Sequence, residues 1–146
     1  MTNMGSATVK FGAALATSAL MATAGLAVSQ ATSAAEPEGH QVTYTITTGA
    51  PYDFDLFYLT AQPPSKDVYN KDPYTYVKNE KVNLQPGAPW VFQTTLEDPQ
   101  WAILSASSTT RGAVGAPNAH CEIAVDGQIV VQNDHPYSPR CQLGQW

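Results

Sequence analysis

Cys121-Glu-Ile-Ala-Val-Asp126-Gly127-Gln-Ile-Val-Val131, followed by a second and last cysteine at Cys141, is the stretch from which the fold is read. Asp126-Gly127 is a two-residue connection whose residues tolerate positive φ, as a type I′ turn requires. The apolar runs on either side predict a hairpin of Cys121–Val125 and Gln128–Gln132, in which Ile123 faces Val130 and Cys121 faces Gln132. For Cys141 to reach Cys121, the segment from Asn133 to Arg140 must turn back on the hairpin, because bridged α-carbons lie about 4.4–6.8 Å apart.

The N-terminus bears on whether that bridge forms. Residues 1–10 are polar with one cation, Lys10; residues 11–28 are uncharged and rich in Ala and Leu. Thr32-Ser33-Ala34 and Ser33-Ala34-Ala35 fit a small-x-small cleavage pattern. Residues 1–34 therefore read as a signal peptide or, if retained, an N-terminal anchor; residues 11–28 are about long enough to span a bilayer but carry much Ala, Thr, Ser and Gly. Both readings place residues 35–40, a short leader, and residues 41–146, the folded domain, outside the cytoplasm. Two cysteines in an exported chain pair.

Composition narrows the function classes. Of the seven Lys and Arg residues, Lys10 lies in the export segment; the remaining six are dispersed against twelve acidic residues. An acidic domain without a basic stripe does not suit nucleic acid or anionic lipid. Membrane association then depends on whether the N-terminal segment is kept.

Further strands follow from period-two alternation. In residues 41–48, Val42, Tyr44 and Ile46 share one face, opposite Thr43, Thr45 and Thr47. In residues 53–60, Phe54, Leu56 and Tyr58 oppose Phe57 and Leu59, which predicts a strand covered on both sides. Residues 62–72 hold Pro63-Pro64 and read as an excursion. Residues 74–84, 90–96 and 101–107 read as strand-forming, residues 108–119 as loop, and residues 142–146 as a last edge strand. Gln85-Pro86-Gly87-Ala88-Pro89 is a turn by its Pro and Gly chemistry. No helical periodicity is evident beyond the export segment. The expected fold is an all-β, immunoglobulin-like sandwich of about seven strands with one disulfide, Cys121–Cys141. Trp90, Phe92 and Trp101 are the first choices to fill the space between the sheets.

No chemical motif stands out. There is no Gly-x-Ser-x-Gly elbow, and both cysteines belong to the bridge. Asp53 and Asp55 share a strand face, a spacing open to glycoside or Ca²⁺ chemistry but ordinary at a solvated strand start. His120, Asp134 and His135 are conceivable metal ligands, though nothing in their spacing requires it. Arg111-Gly-Ala-Val-Gly115 lacks phosphate-loop spacing. No catalytic residue, metal or cofactor is assigned. Tyr69, Tyr74 and Tyr76 are the candidate ligand or partner surface, with a loop folded on its own tyrosines as the alternative.

The Cys121 to Val131 segment closed by Cys141 resembles the MmpS family, small actinobacterial membrane-associated proteins. Val42-Thr-Tyr-Thr-Ile is similar to the family's first strand after its membrane segment. Trp101-Ala-Ile-Leu-Ser-Ala-Ser-Ser takes the place of the strand before the first Cys, and Pro89-Trp90 is similar to a Pro-Trp pair there. The likeness spans residues 42–141; the insertion-like residues 62–79 and the cleavable N-terminus depart from it. The resemblance implies a non-enzymatic accessory in the cell envelope that assists an RND-type (MmpL-like) transporter exporting a lipid or siderophore. The alternative is a freely secreted sandwich that binds a hydrophobic ligand or a protein without a transporter.

Overall fold

The computed structural model describes residues 39–146. The signal or anchor assigned to residues 1–34, and most of the leader, lie outside the described residues. His40, the last leader position, is already the first residue of a strand.

Eight strands form two four-stranded antiparallel sheets. The strands are β1 (His40–Thr48), β2 (Tyr52–Leu59), β3 (Val77–Leu84), β4 (Trp90–Leu96), β5 (Ile103–Ser107), β6 (Ala119–Val125), β7 (Gln128–His135) and β8 (Arg140–Gln142). One sheet has the order β4-β1-β6-β7 and the other β3-β2-β5-β8. The all-β sandwich is thus present, with eight strands where about seven were expected. The last strand is Arg140–Gln142, around Cys141, and not residues 142–146.

Alternation decides which side chains meet between the sheets. Val42, Tyr44 and Ile46 of β1 face Tyr52, Phe54, Leu56 and Tyr58 of β2, and all are buried. Cys121 and Ile123 of β6, with Leu104 and Ala106 of β5, complete this layer. The disulfide forms between Cys121 and Cys141, with α-carbons 6.1 Å apart and both residues fully buried. Because β6 and β8 belong to opposite sheets, the bridge ties one layer of the sandwich to the other.

The aromatic core differs from expectation. Trp90 and Phe92 do face inward, opposite Ile46 and Tyr44, but β4 is an edge strand and leaves them half-buried. Trp101 is buried in a 3-10 turn, Pro99–Trp101. Tyr44, Tyr52, Phe54 and Tyr58 hold the central positions, since β1 and β2 are flanked on both sides. Tyr58 packs against Trp90 and Phe92 with ring centroids 4.8 and 4.9 Å away. A tyrosine here needs an outlet for its hydroxyl. Tyr58 donates to Glu80 at 2.9 Å and Tyr52 to the Thr109 carbonyl at 2.7 Å, whereas the Tyr44 hydroxyl is buried without a partner.

The hairpin turn is of the expected kind, with φ of 50° at Asp126 and 82° at Gly127. Its register is not. Ala124 pairs with Ile129, but Ile123 pairs with Val131 and Cys121 with Asn133, because a bulge at Val130 adds one residue to β7.

Two further corrections concern the second sheet. Residues 62–76 contain a short helix, α1 (Lys66–Lys71), capped by Ser65, whose hydroxyl accepts the Val68 N–H. Six residues are too few to show a helical period. The excursion returns where Tyr76 accepts the Thr60 N–H at 2.7 Å. At that end Leu59, Val77 and Ile103 are buried although they lie on the outer face. At the other end Asp53 and Asp55 face outward and are not covered, so β2 is enclosed on both sides over only part of its length.

Two stability changes follow. Replacing both cysteines, as Cys121→Ser with Cys141→Ser, removes a constraint on a loop of 20 residues. It should lower unfolding free energy by about 3 kcal/mol on the chain-entropy model, measured by urea denaturation. Tyr44→Phe deletes an unpartnered buried hydroxyl, so it should leave stability unchanged or raise it by about 1 kcal/mol. A loss above that size would show that the hydroxyl has a partner.

Candidate functional site

An open groove of about 510 Å³ lies on the outer face of the second sheet. Cross-strand register builds its floor. Asp55 on β2 pairs with Lys81 on β3 and with Ser107 on β5, so cation, carboxylate and hydroxyl stand in one row. Asp53, two residues earlier on the same face, pairs with Asn83. The loop after β5 forms one wall through Ser108, Thr109 and Arg111. Phe54 and Val82 also border the groove, but alternation turns their side chains to the core.

One core residue sets that wall in place. The Tyr52 hydroxyl donates to the Thr109 carbonyl and accepts the Arg111 N–H at 3.1 Å, while the Arg111 guanidinium lies 4.9 Å from the Tyr52 ring centroid. From there Arg111 reaches the Asp53 carboxylate, which also accepts from Asn83 at 2.6 Å. Bonds from Asn83 and Arg111 hold the Asp53 carboxyl below the ordinary carboxylate range. Lys81 bonds Asp55 at 2.7 Å. Each groove carboxylate is therefore matched by a cation. An acid held below the ordinary range, as Asp53 is, accepts hydrogen bonds well and donates protons poorly.

The tyrosines predicted as a surface divide. Tyr74 is 78% exposed. Tyr69 and Tyr76 are half-buried and pack together, with ring centroids 6.5 Å apart. Tyr69 also meets Trp146 edge-on at 5.0 Å and Trp101 at 6.0 Å. Lys66 sits over both indoles, 5.3 and 5.0 Å from their centroids, and bonds the Gln145 carbonyl. The excursion thus packs its Tyr69–Tyr76 pair against Trp101 and Trp146 from outside it, and of the three tyrosines Tyr74 alone is left as open surface.

His120 and Asp134 do meet, 2.8 Å apart, and the other ring nitrogen of His120 meets Glu122 at 3.0 Å. Both nitrogens face carboxylates, which suits a protonated imidazolium and leaves neither free for a metal. His135 instead accepts the backbone N–H groups of Tyr137 and Ser138. No three such side chains among the described residues group as a metal site. Burial of the His120 ring opposes its charge, but the bonds to Glu122 and Asp134 outweigh that and raise its pKa above the usual histidine value.

Asp53 and Asp55 were visible as a face by alternation. Lys81, Asn83, Ser107 and Arg111 were not, because placing them beside the acids requires the pairing of three strands and the course of a loop.

The family model described as the Rv2576c beta-sandwich domain matches residues 44–141, from the middle of β1 to the second half-cystine, and so includes the whole groove. "Uncharacterized protein Rv2576c" of Mycobacterium tuberculosis is 40% identical over 132 residues, covering 88% of this chain and 84% of its own. "Uncharacterized protein Mb2606c" of Mycobacterium bovis matches to the same extent. The matched share exceeds what residues 35–146 alone supply, so the likeness reaches into the N-terminal segment.

The His120 pairing generates a pH dependence. A histidine whose folded pKa lies above its unfolded value of about 6.5 stabilises fully below that value and loses the contribution as pH rises through the folded pKa. Between about pH 6 and about pH 9, the unchanged protein should lose stability relative to His120→Gln, read as the difference in urea midpoint; a difference independent of pH would refute the pairing.

Proposed function

This chain belongs to the family of the Rv2576c beta-sandwich domain, and from that premise we propose that it is an exported, non-enzymatic binding module of the mycobacterial cell envelope. One observation carries the reading: the groove on the second sheet pairs each carboxylate with a cation, Asp53 with Arg111 and Asp55 with Lys81, the arrangement of a surface that holds a ligand by hydrogen bonds. A fully buried bridge between the sheets supports export, since disulfides persist in oxidising compartments. The export layout of residues 1–34 supports it independently.

The resemblance to the MmpS family supplies the finer form. In it, the module stands beside an RND-type transporter and assists the outward passage of a lipid or siderophore. The segment order from Val42 to Cys141 supports this, and the bridge joins the two cysteines that carry the resemblance. No described helix is long and apolar enough to cross a membrane, so tethering would rest on the N-terminal segment. A released sandwich acting without a transporter is the second reading, favoured by the small residues Thr32 to Ala35.

Intact mass of the protein from a mycobacterial host separates the two. Retention of residues 1–34, with an RND permease recovered on gentle affinity purification, is the expected result for the tethered accessory. A chain beginning at Ala35 or Glu36 and recovered alone from the medium would reject it and select the released form.

A further inference from the structure

We propose that the groove on the outer face of the second sheet takes a neutral, polyhydroxylated ligand, a short saccharide, between Asp53, Asp55, Lys81, Asn83, Ser107 and Arg111. This deepens the binding role proposed above by naming the ligand class.

Electrical balance is the first reason. Two carboxylates, Asp53 and Asp55, stand against two cations, Arg111 and Lys81. An anion entering the groove meets the carboxylates, and a cation meets the guanidinium and the ammonium. An uncharged ligand meets neither penalty. Polarity is the second reason. The outward side chains end in carboxylates, a carboxamide, hydroxyls, an ammonium and a guanidinium, with apolar surface between them, a mixture that offers hydrogen bonds to hydroxyls and contact to C–H groups.

The pattern of donors and acceptors is the third. Lys81, Asp55 and Ser107 form a row of donor, acceptor and hydroxyl across three strands about 5 Å apart. Asn83, Asp53 and Arg111 form a second row two residues along, about 7 Å away. A sugar hydroxyl both donates and accepts, so it can join a carboxylate to a neighbouring donor in either row. Phe57 is on the same face, two residues beyond Asp55 and half-buried, just outside the groove lining. There it offers an apolar edge to the C–H face of a sugar ring.

Opening the groove to a ligand costs little. The partners Arg111, Asp53, Lys81 and Asp55 are 46–84% exposed, and ion pairs in such settings contribute little net stability. By contrast, the wall that carries Arg111 is fixed by the buried Tyr52. The volume, about 510 Å³, lies in the range typical of small-ligand sites, about 300–1,000 Å³.

The test uses the ¹⁵N-labelled chain as secreted. Maltotetraose, mannotetraose and cellotetraose are titrated separately to about 20 mM, with phosphatidylcholine vesicles containing a mannosyl lipid as a parallel arm. The expected result is saturable shifts, with at least one of these probes, confined to the amides of residues 53–57, 79–83 and 105–111. Arg111→Ala and Asp55→Asn should each weaken the fitted affinity about tenfold, the loss of one hydrogen bond to a charged group. Gln132→Ala, on the other sheet, should leave it unchanged. Shifts with free tetrasaccharide assign a soluble glycan, and shifts with vesicles alone assign a glycolipid headgroup. Absence of saturable shifts in the groove with every probe overturns the proposal. So do shifts that survive both substitutions, or a groove that responds to inorganic phosphate or Ca²⁺ instead. None of these outcomes involves the transporter or the N-terminal segment, so the saccharide and accessory readings fail independently.

Discussion

The bond between Cys121 and Cys141 joins two sheets that no backbone ladder connects. Within each sheet, backbone ladders hold neighbouring strands together. Between the sheets the packing is of side chains: three tyrosines, Phe54 and a set of aliphatic residues, with Trp90 and Phe92 at one margin. β8 is three residues long and pairs only with β5. So short a strand has few ladder bonds of its own, and the sulfur link to β6 holds it as the fourth strand of its sheet. Its position in turn fixes the return from β7 and the terminal segment, where Trp146 donates to the Trp101 carbonyl and helps pack the excursion.

From that anchored core, Tyr52 extends the order outward. It spans from the packed interior to the loop after β5, satisfying its own hydroxyl and fixing the backbone that presents Arg111. A buried hydroxyl must find a partner, and here the partner is a segment that would otherwise have few contacts. The groove is thereby a product of core packing, although every charged group in it faces solvent.

How much of this was legible in the chain depends on the range of the interaction. Period-two alternation gave the inward faces of β1 and β2, residue by residue, because alternation is a property of one strand. Asp126-Gly127 gave the turn for the same local reason. The register beyond it was missed because a bulge at Val130 is a compromise between two strands and leaves no mark in either. Trp90 and Phe92 were overvalued for the core, since size alone does not tell an edge strand from a central one, whereas Trp101 is buried as expected. Tyr69 and Tyr76 were read as surface because their partners, Trp101 and Trp146, lie far along the sequence. The groove was half visible: its acids were in alternation, while its cations come from β3 and from a loop that only the folded chain brings near. The sandwich itself was legible from short alternating strands separated by Gly and Pro turns, and the chain belongs to the family of the Rv2576c beta-sandwich domain.

Val130 has a consequence outside the hairpin. β7 is one of the two edge strands of the first sheet among the described residues, eight residues long, with Ile129 and Val130 uncovered. A straight apolar edge of that length is a template on which another chain can add a strand. The extra residue interrupts the even march of outward N–H and C=O groups and increases the local twist. The border of the molecule thus refuses continuous pairing at the place where it is most apolar, and a neighbour meeting it finds side chains to touch but no ladder to extend.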